Sequence, residues 1–104
     1  MKKILVVAGI TACFLSAPAL AENGKYLAKN AGCMMCHAID MKLVGPSYKE
    51  VAAKYKNDAT AEAKLLKKLN DGGSGVWGTM PMPMQKGRMT DAEFRITVNW
   101  ILSL

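Results

Sequence analysis

Five consecutive residues, Cys33-Met34-Met35-Cys36-His37, limit the possible folds of this chain more than any other part of its sequence. Two cysteines separated by two residues and followed at once by a histidine form the c-type haem attachment pattern. The spacing lets both thiols reach vinyl groups on one porphyrin edge, while the next residue carries an imidazole toward the iron. The pattern therefore predicts one haem c bound through Cys33 and Cys36, with His37 as an axial ligand.

Two other uses of these thiols fit the sequence less well. A disulfide or a thioredoxin-like redox pair would need only Cys33 and Cys36, but the redox pair is typical of a βαβ unit, and no such unit is predicted here. A structural zinc site needs four ligands, whereas residues 22–104 contain two cysteines and one histidine. Haem attachment is therefore the main hypothesis, with a cofactor-free thiol module as one rival.

The first 21 residues are predicted to be a secretory signal peptide that is removed. Two lysines precede an apolar run over 4–15, and Ala19-Leu20-Ala21 forms a small-residue cleavage site. A membrane anchor would need about 20 apolar residues, and the run over 4–15 is shorter, so the segment is not expected to stay as an anchor. After cleavage we expect no stable membrane insertion. The segment Ile10-Thr11-Ala12-Cys13 looks like a lipobox, and lipidation of Cys13 is the alternative. Export predicts a periplasmic location.

Residues 22–104 are expected to form one small domain. The whole chain has 104 residues, a formal charge of +6 and 51% hydrophobic residues, which describes one small domain and excludes a multidomain enzyme. A core of this size supplies only a few kcal/mol, so such domains usually carry a disulfide, a metal or a cofactor. Nucleic acid is an unexpected partner for an exported chain with acid-rich turns.

The apolar spacing predicts an all-α fold of four short helices. Their expected bounds are 22–31, 47–56, Asp58 or Thr60 to Leu69, and Thr90 to the C-terminus. The predicted inward residues are Tyr26, Leu27 and Ala31 in the first helix, Tyr48, Val51, Ala52 and Tyr55 in the second, Ala61, Leu65 and Leu69 in the third, and Phe94, Val98, Ile101 and Leu102 in the fourth. Residues 74–88 are predicted to be an ordered loop, and no strand is expected.

The segment Met80-Pro81-Met82-Pro83-Met84 in this loop offers a second axial ligand, because a methionine thioether raises the potential of haem iron. Pro81 and Pro83 restrict the backbone around Met82 and remove two N–H donors, so the segment can face an apolar surface. Met82 is the predicted ligand. Met80 and Met84 remain alternatives.

Several segments, taken in order, resemble one known family. They are residues 32–40 (GCMMCHAID), 44–49 (VGPSYK), 75–78 (GVWG), 81–83 (PMP) and 100–102 (WIL). The sequence is similar to the small bacterial class I cytochromes of the cytochrome c-551/c-552 family. The resemblance implies a monomer with four to five short helices around one haem, in which the first and last helices cross near a haem edge.

The resemblance also implies roles for individual residues. His37 and Met82 match the axial ligands, and Pro46 matches a proline whose preceding carbonyl region orients the histidine. Trp77 matches a tryptophan that donates to a haem propionate, Lys68 a basic residue near the propionates, and Gln85 a residue that can donate to the methionine sulfur. The alternatives are that Trp77 only packs, that Lys68 is a solvated lysine on a helix face, and that Gln85 is a plain loop residue. Met84 and the longer segment 86–88 depart from the family pattern.

With both axial positions filled, an iron site of this kind can only gain and lose one electron, so the predicted function is electron transfer rather than catalysis. The implied partners are a quinol-oxidising donor complex and acceptors such as a terminal oxidase or nitrite reductase. A lysine-rich surface could steer acidic partners, or be only a solvated face; its members are Lys25, Lys29, Lys42, Lys49, Lys54 and Lys56. A haem enzyme or gas sensor with an open sixth site is the other rival.

Overall fold

The computed structural model describes residue 9 and residues 16–104, with side chains from residue 23 onward. Most of the predicted signal peptide and Cys13 lie outside the described residues. The elements are α1 (Ser16–Asn30), a short 3₁₀ helix (Cys33–Met35), α2 (Tyr48–Lys54), α3 (Ala61–Asp71), β1 (Gly73–Gly75), β2 (Gly78–Met82) and α4 (Asp91–Leu102). The predicted helical fold with four main helices is confirmed, and the small sheet is an addition to it.

Helix α1 begins at Ser16, six residues before the predicted start. Residues 16–21 are mostly Ala and Leu, which favour helix, and Pro18 lies in the first turn, where its missing N–H is not needed. The predicted inward position of Tyr26 is wrong, because its side chain is 66% exposed. The buried residues are Gly24 and Ala28, one helical turn apart.

Helices α1 and α4 cross at a glycine. A Cβ at residue 24 would lie 2.8 Å from Cγ of Trp100 and 3.1 Å from the carbonyl oxygen of Ile96, and closer still to Cβ of Trp100. Any larger side chain at Gly24 would therefore push the two helices apart. The two terminal helices cross as the resemblance implies.

Two helices begin with a capping box. At α4, Thr90 Oγ1 accepts from the Glu93 amide at 3.2 Å and the Glu93 carboxylate accepts from the Thr90 amide at 3.0 Å, which confirms the predicted start. At α2, Ser47 and Glu50 form the same pair of bonds at 3.1 and 3.0 Å. Such boxes satisfy amides that have no partner within the helix, so they define where both helices start.

Helix α3 starts without a capping bond from the residue that precedes it. Thr60 occupies the cap position, but its side chain makes no bond to the helix amides. Asp58 instead accepts from the Thr60 amide at 2.8 Å and from its hydroxyl at 2.6 Å. Of the two predicted caps, Asp58 organises the turn before the helix. The helix ends at Gly72, whose φ of 67° lies in the left-handed region.

Strands β1 and β2 form an antiparallel hairpin within the segment predicted to be loop. Val76 and Trp77 make its turn, between the paired residues Gly75 and Gly78. The prediction that no strand forms is therefore wrong. Its signal is absent from the sequence because β1 is Gly-Ser-Gly and both strands are almost entirely exposed, so no apolar alternation could reveal them.

The hydrophobic core joins α1, α2 and α4. Its buried members are Ala28, Tyr48, Val51, Trp100 and Ile101, and Cys33, Met34, Ile39, Tyr55 and Leu65 pack against it half-buried. The buried residues of α2 and α4 agree with the predicted faces, with Thr97 and Trp100 as unpredicted additions. Within the described part of the chain, no helix is long and apolar enough to span a membrane. The core therefore lies directly behind the Cys33 segment.

Candidate haem-binding site

The attachment segment is a single tight turn that follows α1. Gly32 has a φ of 83°, which reverses the chain after the helix. The His37 amide then donates to the Cys33 carbonyl at 3.0 Å, and the Cys36 amide donates to the same carbonyl at 3.2 Å. Both cysteines are half-buried free thiols, not a disulfide. This turn brings the two thiols and the imidazole together, as the five-residue pattern predicts.

The imidazole of His37 is oriented by a main-chain carbonyl. Its Nδ1 lies 2.7 Å from the carbonyl oxygen of Pro46, so Nδ1 carries the proton and donates. The acceptor is the carbonyl of Pro46 itself, not one that precedes it. The Gly45 amide donates to the Cys36 carbonyl at 2.8 Å and holds this loop against the attachment turn. The tautomer leaves the lone pair of Nε2 available to a metal.

Gly45 packs directly against the imidazole ring of His37. A Cβ at residue 45 would lie 2.8 Å from Nδ1, 3.0 Å from Nε2 and closer still to Cε1. Gly45 lies in the segment 44–49 that resembles the family, but the sequence predicted no role for it. The signal that could have revealed it is its place immediately before Pro46, in the loop that returns to the histidine.

Tyr48 also contacts His37. The sequence predicted it only as an inward-facing residue of the second helix. Its ring stacks on His37 with centroids 5.2 Å apart and planes 15° apart. Burial raises the pKa of the Tyr48 hydroxyl, and the neighbouring Cys33 sulfur raises it further. Burial also raises the pKa of the Cys33 thiol, which Tyr48 and Arg88 partly offset.

The three methionines of residues 80–84 differ in burial. Met80 and Met84 are 66% and 62% exposed, whereas Met82, at the end of β2, is half-buried. A Cβ at Gly72 would lie 2.6 Å from the Met82 carbonyl oxygen and 2.7 Å from the Met84 amide nitrogen. The glycine that ends α3 therefore lets the methionine segment lie closely against that helix end.

The remaining predicted residues lie around the hairpin and the loop after it. The Trp77 ring is at the hairpin turn, with the Lys54 ammonium 5.4 Å from its centroid. The Lys68 ammonium lies near Gly73, 3.5 Å from where a Cβ would be. The Gln85 side-chain amide donates to the Pro83 carbonyl at 2.7 Å, and the Gln85 backbone amide donates to Leu69.

The residues present fit covalently bound haem. Two adjacent free thiols can form the thioether links, and the bond to Pro46 leaves Nε2 of His37 as a donor. Apolar side chains on the loop before Pro46 and on the hairpin are exposed although they would favour burial; they are Leu43, Val44, Val76, Trp77 and Met80. In the part of the chain that the structure describes, no group of three or more His, Cys, Asp or Glu residues is placed to hold a metal ion.

Fold and site together define a class, namely small helical proteins that hold one haem through two thioether bonds. Comparison with known proteins identifies the family. Residues 21–104 match the family model for cytochrome c, and the chain therefore belongs to the cytochrome c family.

Individual relatives agree with this assignment. The chain is 46% identical to cytochrome c-551 of Pseudomonas aeruginosa, over 89% of this chain and 88% of the relative. It is 43% identical to cytochrome c-552 of Hydrogenobacter thermophilus, over 100% and 99% of the two chains. The crystal structure of Nitrosomonas europaea cytochrome c552 aligns with a TM-score of 0.72 and 40% identity, covering 76% of this chain and 96% of that one. The predicted resemblance is confirmed.

The protein is thus a mono-haem class I cytochrome c, an electron carrier whose haem c is bound through Cys33 and Cys36. Its partners are other redox proteins.

Proposed function

We propose that His37 and Met82 are the axial ligands of the haem iron and that the protein carries single electrons between respiratory redox proteins in the periplasm. Haem iron supplies a reversible one-electron change between its ferrous and ferric states. The observation that carries the proposal is the 2.7 Å bond from Nδ1 of His37 to the Pro46 carbonyl, which leaves Nε2 to bind iron. With both axial positions held by side chains, no substrate has access to the metal.

Met82 is favoured over its neighbours by its burial. A ligand to a haem in the protein interior must be withdrawn from water, and Met82 is the half-buried member of the three methionines in residues 80–84. The Leu69 carbonyl accepts from the Gln85 amide at 2.8 Å and ties the segment after Met82 to α3. Gln85 has a second side-chain N–H beyond the one donated to Pro83, and we assign it to the methionine sulfur.

Trp77 and Lys68 are proposed to hold the haem propionates. The Trp77 indole N–H needs an acceptor wherever the ring is covered, and Lys68 is a half-buried lysine in the last turn of α3, beside the start of β1. Lys54 already lies against the Trp77 ring and adds positive charge at the same edge. The propionates would therefore meet a region rich in donors and cations.

The electron partners are proposed to be a quinol-oxidising donor complex and an acceptor such as a terminal oxidase or nitrite reductase. The six lysines named above are all exposed, and the Asp40 carboxylate accepts from one of them, Lys49, at 2.6 Å. A positively charged surface speeds encounter with acidic partners and loses this effect at high salt. A signal peptide over 1–21 would deliver the monomeric protein to the periplasm.

The test is the effect of Met82→Ala on the visible and near-infrared spectra, with Met80→Ala and Met84→Ala as matched controls. In the oxidised Met82→Ala protein we expect the Met-to-iron charge-transfer band to be lost. In its reduced form, carbon monoxide should bind at neutral pH. Both controls should keep the band and exclude carbon monoxide. A band that survives in Met82→Ala but disappears in one control would transfer the ligand role to that residue.

Carbon monoxide binding by the reduced wild-type protein has a different meaning. It would show that the sixth position is open or labile in the native carrier. The proposed ligation by both His37 and Met82 would then be wrong, and the haem-enzyme or gas-sensor alternative would gain support.

A further inference from the structure

Tyr48 forms the middle of an aromatic stack that begins at His37. Its ring lies parallel to the imidazole, with centroids 5.2 Å apart and an interplanar angle of 15°. On α4, Trp100 contacts the same tyrosine edge-to-face at 5.4 Å and 76°. Both arrangements are favourable aromatic geometries. Because Tyr48 is only 4% exposed, this stack connects the proximal histidine rigidly to the core.

The other restraints on His37 leave a role for this contact. The bond from Nδ1 to the Pro46 carbonyl acts in the plane of the ring and fixes its tautomer. A hydrogen bond in the ring plane resists rotation of the imidazole about its own axis weakly, whereas a ring stacked on its face resists it directly. The Tyr48 backbone is itself held, since its amide donates to the Ala38 carbonyl at 2.9 Å.

Cys33 packs half-buried against the core cluster that contains Tyr48, and the Cys33 sulfur raises the pKa of the Tyr48 hydroxyl. Once haem is attached, this sulfur is a thioether and carries no proton, so the Tyr48 hydroxyl is the only donor of the pair. The O–H dipole then places its positive end toward a haem substituent, which stabilises the more electron-rich ferrous state.

We propose that Tyr48 is a positioning residue of the haem site, whose ring sets the orientation of the His37 imidazole plane and whose hydroxyl donates to the Cys33 thioether. This inference rests on the proposed ligation of iron by His37. It assigns two separable effects to one buried side chain, and each can be removed alone.

The experiment compares Tyr48→Phe, which removes the hydroxyl, with Tyr48→Leu, which also removes the ring. Tyr55→Phe and Tyr55→Leu are the matched controls, because Tyr55 follows α2 directly and packs half-buried against the same core. The readouts are the reduction potential and the four haem-methyl proton shifts of the oxidised protein, which report the orientation of the axial imidazole.

We expect Tyr48→Phe to lower the reduction potential while leaving the order of the haem-methyl shifts unchanged. Tyr48→Leu should lower the potential and also rearrange that order. Neither Tyr55 variant should change the reduction potential or the order of the haem-methyl shifts. Equal potentials in Tyr48→Phe and Tyr55→Phe would overturn the hydroxyl role, and an unchanged shift order in Tyr48→Leu would overturn the ring role.

A measurement on the wild-type ferrous protein keeps the test decisive if Tyr48→Leu does not assemble with haem. Nuclear Overhauser contacts between the ring protons of Tyr48 and those of His37 are expected, and their absence would refute the stack. Failure of the ligation proposal is distinct, because the wild type would then lack a low-spin six-coordinate spectrum altogether. A wild type with that spectrum and with inert Tyr48 variants would leave the electron carrier standing and remove only this inference.

Discussion

Two of the groups that restrain His37 belong to the main chain. The Pro46 carbonyl accepts from its Nδ1, and the Gly45 backbone packs against the ring. Main-chain contacts of this kind cannot be deleted by truncating a side chain, but they can be obstructed by adding one. At the residue scale, the position most sensitive to a small change is therefore a glycine.

We expect Gly45→Ala to lower the free energy of unfolding of the oxidised protein by about 1–3 kcal/mol, the usual effect of adding a methyl group where there is no room. The new Cβ would overlap the imidazole of His37, so the ring must shift and its bond to Pro46 must lengthen. Denaturant unfolding monitored by haem absorbance measures the loss.

Lys42→Ala, an exposed change on the same loop, serves as the control and should leave the unfolding midpoint unchanged. Gly45 is not one of the glycines with positive φ, so alanine brings no backbone strain of its own. A Gly45→Ala protein as stable as the control would show that the loop yields without moving the histidine.

At the scale of elements, the start of α3 shows a cap that acts through the preceding turn. The Asp58 carboxylate accepts from the amide and hydroxyl of Thr60, and the Lys64 ammonium, one turn into the helix, donates to it at 2.8 Å. These bonds, that of Lys64 first, lower the pKa of Asp58 to about 2, from an ordinary value of 3.8. The folded state therefore favours the ionised Asp58 carboxylate over the protonated acid.

This depressed pKa predicts a pH dependence of stability. A carboxyl group whose folded-state pKa is lowered stabilises the protein above its unfolded pKa, and the contribution is lost as the pH falls through the folded value. We therefore expect wild type to be more stable than Asp58→Asn at neutral pH, with the difference shrinking as the pH falls from about 4 to about 2. Thermal unfolding of both proteins across this range measures it.

Asp40→Asn provides the comparison, because Asp40 pairs with Lys49 on an exposed surface, where such pairs contribute little. Its difference from wild type should be small at every pH. A pH-independent difference for Asp58→Asn would mean that the bonds to Thr60 act through geometry alone, without the charge.

At the scale of the whole molecule, the protein core is small and one side of it lies against the attachment segment. The buried hydrophobic cluster contains five residues, and Cys33 and Met34 pack against it only half-buried. The apolar residues of the loop before Pro46 and of the hairpin remain partly exposed to solvent. Haem would supply the missing apolar surface, and the hydrophobic effect would then favour the assembled fold.

We accordingly expect a Cys33→Ala, Cys36→Ala double variant, which cannot form thioether bonds, to lose most of its helical circular dichroism. Met82→Ala is the control, since it retains covalent haem and should retain the helical signal. A double variant with the helical signal of wild type would show that the polypeptide core folds the helices without its cofactor.

The sequence predicted those features that depend on neighbours along the chain. The haem attachment pattern at 33–37, the capping box at Thr90 and the inward faces of α2 and α4 are all local, because they depend on a turn or on helical periodicity. The exposure of Tyr26 was mispredicted, because the partner of α1 is α4, which lies at the other end of the chain. The crossing at Gly24 selects the face that is buried.

Features that depend on neighbouring residues could be predicted from the chain, whereas features that depend on distant contacts could not. Sequence was sufficient for the class of protein, its cofactor and the two attachment cysteines, since residues 33–37 lie within one turn and their chemistry needs no distant partner. Tertiary structure decided which groups restrain His37, because Gly45, Pro46 and Tyr48 reach it only when the loop folds back. It also decided the hairpin, because its two short, exposed strands are recognised only from their backbone pairing.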